Sequence, residues 1–146
     1  RIDAYCRNFL WDKVGLGRIK PLVAWNVVCS PKIEGGLGIH RLKNWNSALL
    51  SRTLWDIASN KESLWVKWVH HVYLQGSSVW QQVGSKSDSA LIKRLFAIRD
   101  LLLEREGSWR RAEMTLESWK QPGGFNTSKA YDFFREVQPK QFWHKV

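Results

Sequence analysis

Clustered carboxylates are the first chemistry to look for in a cation-rich chain, because polymerases and nucleases hold two metal ions between acids that stabilise the attacking and leaving oxygens. The six Asp stand at positions 3, 12, 56, 88, 100 and 132, with no adjacent pair. Glu104 and Glu106 are two residues apart, so on a helix they do not share a face. Each of these acids reads better as a solvated surface charge, and metal-dependent catalysis is not expected. His70 and His71 are neighbours that point apart on a helix, with no Cys or carboxylate cluster to complete a metal site. Gly35-Gly36-Leu37-Gly38 lacks the Gly-Lys-Ser/Thr ending of a phosphate-cradling loop, and a tight turn using positive φ explains it better. No Ser or Cys lies in a nucleophile-elbow sequence. The expectation is a chain without catalytic residues, metal or cofactor.

What remains is the pairing of cations with aromatic rings. Lys and Arg number 23 against 13 Asp and Glu, a net charge of +10, and such a field attracts polyanions. Residues 1–55 hold nine of the basic residues and three of the acidic ones. Arg41, Lys43, Arg52 and Lys67 are the candidates for backbone phosphate contacts, with a ring such as Trp45 or Trp68 packing or stacking nearby. For the rings the plainer reading carries more weight. Trp45, Trp65 and Trp68 lie on apolar stripes and are expected in the core. For the cations, a solubilising surface and a phosphate contact look alike in sequence. The expected partners are RNA, DNA or an RNA–DNA hybrid, with no membrane.

These residues must be positioned by helices. Ile2, Tyr5, Cys6, Phe9 and Leu10 predict a short amphipathic helix ending near Trp11, followed by a Gly15/Gly17 turn. The apolar run 22–29 lies between Pro21 and Pro31, and strand and short helix are both open there. Residues 41–59 predict a helix with two stripes, Leu42, Trp45, Leu49 and Leu50, Leu54, Ile57, which should touch more than one neighbour. Leu64, Trp68, Val72 and Trp65, Val69, Tyr73 run side by side on the next helix, which a Gly/Ser turn at 75–78 breaks. Residues 85–89 offer N-cap candidates for the strongest helix, with Leu91, Leu95, Ile98 and Leu102 on one stripe, Lys93, Asp100 and Glu104 opposite, and Gly107 as its stop. Residues 108–121 are mixed in charge and poorly periodic, and Pro122-Gly-Gly124 is a turn or linker. A last helix near 127–137 carries Ala130, Phe134 and Val137 before Pro139 ends it. The fold class expected is all-α, an array of about five helices joined by Gly-rich turns.

The bulk numbers agree with a folded intracellular chain, nuclear or cytoplasmic and not secreted. At 146 residues with 44% hydrophobic content, one domain, or one and a fragment, is expected. Ten Trp is an unusual load, and such rings either fill a core or await a partner surface. Cys6 and Cys29 stand far apart, outside any C-x-x-C spacing, so neither a disulfide framework nor a Cys-rich zinc site is expected. No apolar run approaches a membrane span, and the N-terminus is not a signal peptide. Position 1 is Arg rather than an initiator Met, which reads as an excised fragment.

The run Leu22-Val-Ala-Trp-Asn-Val-Val-Cys-Ser-Pro-Lys-Ile-Glu-Gly-Gly-Leu-Gly-Ile39, then Trp45-Asn-Ser-Ala-Leu-Leu50, resembles a signature of plant LINE-type (non-LTR) retrotransposon reverse transcriptases. Trp25, Cys29, Pro31, Lys32, Gly35, Gly36, Leu37, Gly38, Asn46 and Leu49 carry the match. Cys6-Arg-Asn-Phe-Leu-Trp11 looks like the family's preceding segment, and Trp55, Trp65, Val66, Trp68, Val69 and Tyr73 stand where it has W-x-x-W-V and a tyrosine. Phe125, Ala130 and Tyr131 match the F-S-V-K-S-A-Y that opens the family's zinc-binding domain, while Asn126, Thr127, Ser128 and Lys129 depart from it. The chain stops after Trp143-His-Lys-Val146, short of that domain's Cys and His positions, so zinc binding is not carried over. The family's Gly-Asp-Gly insert after Glu106 is also missing, as in a decayed or internally deleted copy.

The resemblance implies three regions: a thumb- or connection-like helical region at 1–107, a linker or deletion scar at 108–124, and a truncated start of the zinc-binding domain at 125–146. It further implies that the polymerase aspartates lie upstream of Arg1 and that this region grips template and primer beside the remainder of the reverse transcriptase polyprotein.

Overall fold

The computed structural model describes residues 2–11, 22–135 and 137. The chain is mostly helical over them, as expected, with seven α-helices and a single two-stranded sheet among the described residues. The two helices beyond the expected five are those that periodicity left open or missed. The expected Gly15/Gly17 turn, Pro21, Pro139 and residues 143–146 lie outside the described residues. The chain divides into two compact units, Arg1–Trp45 with Arg135–Val146, and Asn46–Phe134.

In the first unit, α1 (Ile2–Trp11) forms where the apolar spacing placed it, yet it buries no residue, and Phe9 is 89% exposed. The open stretch resolves as one helical turn, α2 (Trp25–Val28), because the Ala24 carbonyl accepts from the Val27 and Val28 amides at 3.0 and 3.2 Å. Pro31 starts a 3-10 turn over Lys32–Glu34, closed by Gly35 at φ 86°, a left-handed conformation that costs glycine little. Gly36 is required for a different reason. A Cβ there would lie 2.0 Å from the Ser30 carbonyl oxygen. Its chain then folds back, with the Leu37 and Gly38 amides donating to the Val28 and Ser30 carbonyls at 2.9 Å each. Glu34 is buried, and both its carboxylate oxygens accept from Arg135 Nη1, at 2.8 and 2.9 Å.

The second unit packs around α3 (Leu42–Ala58), whose residues from Asn46 on belong to it, and α5 (Ala90–Glu106). Ala48, Leu54 and Ile57 of α3 and Leu95, Ile98 and Leu102 of α5 are buried, while Leu91 and Leu49 stay largely exposed. Between them, α4 (Leu64–Val69) runs into a π turn at His70–Leu74. Here the structure corrects the sequence reading. The stripe Leu64, Trp68, Val72 faces outward, at 89%, 49% and 40% exposure; of the second stripe Val69 is buried, joined by Val66 and Leu74, which neither stripe included. Trp68 is therefore not core, and Trp45 and Trp65 are only half-buried.

Residues 108–124, read from the sequence as a linker or deletion scar, carry regular structure. Gly107 ends α5 at φ 71°, Ser108 caps the next helix by accepting from the Arg111 amide, and α6 (Trp109–Ser118) folds back against α5. Ala112, Leu116 and Trp119 are buried at the spacing of one helical face, a short pattern hidden by the charges between them. Lys120–Gln121 and Gly124–Phe125 then pair as a minimal antiparallel hairpin, with Pro122 and Gly123 in the expected turn. Finally, Asn126 accepts from the Lys129 amide to open α7 (Thr127–Phe134), which buries Ala130, Tyr131 and Phe134. Val137 lies beyond the helix, 73% exposed. Trp119 meets Phe125, Phe133 and Phe134 edge-on, with centroids 5.9, 5.4 and 6.2 Å away.

Candidate nucleic-acid interface

A polyanion is held by cations that stay solvated and accessible, so the first question is where the fold leaves its Lys and Arg. Lys43 and Arg52 are both exposed on α3. Nine residues at about 100° each put them on opposite sides of the helix. Arg41 precedes α3 and is half-buried, and Lys67 on α4 is exposed and lies 3.2 Å from Glu62 Oε1. That ion pair is open to water on both sides and restrains Lys67 weakly. Lys43 and Arg52 thus do not share one face of α3.

Other cations are taken up by the fold. Arg99 is 6% exposed, donates from Nη1 to the Val79 and Gln82 carbonyls at 3.0 and 2.5 Å, and pairs with Asp100 Oδ1 at 2.6 Å. Arg105 bonds the Phe133 carbonyl and lies 5.0 Å from that ring's centroid. Lys86, within the stretch of N-cap candidates, and Lys93, on the face opposite the apolar stripe, come together, with Lys93 Nζ donating to the Lys86 carbonyl at 2.5 Å. Their seven-residue separation across a Ser-rich turn and a first helical turn was the available signal. It gains meaning only once the turn is folded.

Several residues of the resemblance shape the turn after α2. The Pro31 carbonyl accepts from Glu34 and Gly36, Gly35 and Gly36 shape the turn, and Gly38 sits at φ 74°. Cys29 is buried, and that burial, ahead of the nearby Asp3 and Cys6 and against Arg41, pushes its thiol above the ordinary range. Trp25 is half-buried, and its indole N–H has no hydrogen-bond partner among the described residues. Lys32, Leu37, Asn46 and Leu49 are exposed. A small apolar pocket of about 250 Å³ lies between Trp11, Val27, Val28 and the Gly35–Leu37 backbone.

Three of the described acids have separate partners. Asp56 faces Lys61 at 3.1 Å, Asp88 accepts from the Ser85 amide at 2.7 Å, and Glu113 accepts from the Trp80 indole at 3.3 Å. Among the described residues no group of three or more His, Cys, Asp or Glu could hold a metal ion. His70 Nε2 sits 2.9 Å from the Ile57 carbonyl, which ties the end of α4 to α3, while His71 is exposed. No helix among the described residues is long and apolar enough to cross a membrane.

The chain is similar to a protein of Arabidopsis thaliana provisionally named as a ribonuclease H protein, with 45% identity over 65 residues. The match covers 44% of this chain and 10% of the relative, so the chain aligns with a small part of that protein. No protein-family model matches, and no solved structure matches.

Proposed function

We propose that this chain is a non-catalytic piece of a retrotransposon's RNA-directed DNA polymerase that contacts template and primer through a basic helical surface. The observation that carries the reading is the surplus of cations left on exposed helix positions: Lys43, Arg52, Lys67, Lys93, Arg94, Arg110 and Arg111. The net charge of +10 gives them a long-range pull on a polyanion. The dense signature at 22–39 and the plant relative's name point toward the same nucleic-acid chemistry. Contacts of this kind position a backbone and do not read bases.

Binding to a labelled RNA–DNA hybrid, followed while salt is raised, tests the reading. Each phosphate neutralised adds about 0.7 to 0.9 to the slope of log affinity against log salt. A steep fall is expected, and affinity that ignores salt overturns the proposal.

One observation favours a second reading, a structural or interaction remnant of a decayed element with no affinity for nucleic acid. Leu64, Trp68 and Val72 form an exposed apolar stripe of the sort that marks a missing protein contact. Hydrophobic-dye binding without any hybrid binding is its signature.

A further inference from the structure

The loop at 84–86 and the side of α5 line an open cleft of about 470 Å³. Its helical wall is Lys93, Phe96, Ala97 and Asp100, an i, i+3, i+4, i+7 set that makes one continuous face. Its loop wall is Gly84, Ser85 and Lys86. The walls are fixed by bonds that do not use the cleft itself. Arg99 ties the preceding loop to α5 through the Val79 and Gln82 carbonyls, Asp88 accepts from the Ser85 amide, and Ser89 caps the helix. Gly84 lets the loop lie against the aromatic ring, since a Cβ there would come 3.1 Å from Phe96 Cδ2.

The charges around the cleft divide unequally between engaged and available groups. Both carboxylates are turned to partners, Asp100 to the Arg99 guanidinium at 2.6 Å and Asp88 to a backbone amide at 2.7 Å. Lys86 and Lys93 are exposed and have no ion-pair partner among the described residues, and Lys93 spends one proton on the Lys86 carbonyl. Among the residues lining the cleft, two lysines stand against the single Asp100. The cleft is within the size range of small-ligand sites, with an aromatic and methyl floor and ammonium groups at its rim.

We propose that this cleft seats one phosphate and the adjoining sugar or base of a bound polynucleotide, with Lys86 and Lys93 holding the phosphate and Phe96 and Ala97 forming the floor. The inference rests on the nucleic-acid reading above and locates a contact point that reading does not name. Lys86→Ala/Lys93→Ala is compared with Lys120→Ala/Lys129→Ala, which removes equal charge from exposed positions elsewhere in the unit. Salt titrations on a single strand should show the first pair losing about 0.7 from the slope, the value for the one phosphate the two lysines hold, and the second pair losing little. Equal losses from both pairs would mean diffuse attraction and overturn the cleft while leaving the general reading intact. If the unaltered chain binds no polynucleotide, both fall together. Ala97→Glu, at an exposed helical position that tolerates it, puts an anion on the floor with both lysines in place. It should weaken binding several-fold, and wild-type affinity in that variant also overturns the proposal.

Discussion

Cys6 and Cys29 show how far a residue's chemistry depends on its surroundings. Cys6 is exposed on α1, whereas Cys29 is buried with its thiol pushed up chiefly by that burial. The thiolate is the reactive form, so a raised value leaves less of it at neutral pH and moves reaction to higher pH. Brief iodoacetamide treatment at pH 7.5, read by peptide mass spectrometry, should therefore modify Cys6 first. Equal labelling of both would contradict the burial of Cys29. The glycines were legible at this scale, because a Gly-Gly-Leu-Gly run has few uses other than a tight turn. Arg99 and Glu34 were not. The carbonyls that accept from Arg99 lie 17 and 20 residues away, and the partner of Glu34 lies 101 residues away.

At the scale of elements, periodicity located α1, α3, α4, α5 and α7, left α2 open and missed α6. α3 and α5 each offered several turns of pattern, while α6 offers only Ala112, Leu116 and Trp119 among Arg110, Arg111, Glu113 and Glu117. The capping signal was present in Ser108, directly after the stop at Gly107. Ser108→Ala removes the acceptor for the Arg111 amide and should cost about 1 kcal/mol, seen as a lower urea midpoint with unchanged slope. No change would mean that 108–118 is not held as a capped helix. On α4 the pattern named two adjacent stripes, and the π turn at His70–Leu74 brings Leu74 rather than Val72 to the buried side.

Across the whole molecule, the nine Trp among the described residues divide between buried and exposed positions in a way composition does not reveal. Trp80 and Trp119 are 6% and 4% exposed, while Trp68 and Trp109 are 49% and 44% exposed. Trp119 anchors the ring cluster that joins α6, the hairpin and α7. Trp119→Ala should cost about 3–5 kcal/mol, and Trp68→Ala about 1 kcal/mol or less, in the same denaturation assay. The reverse order would place the core elsewhere.

By itself the sequence determined the all-α class, the glycine turn at 35–38, the starts and stops of the long helices and the excess of positive charge. These depend on neighbours within a few residues or on simple sums. Only the tertiary structure decided which apolar stripe turns inward, which arginines are spent on carbonyls, and that Lys86 and Lys93 flank one cleft. Such outcomes depend on groups far apart in the chain meeting in space, where burial and unsatisfied polar atoms set the cost, and no local pattern records that meeting.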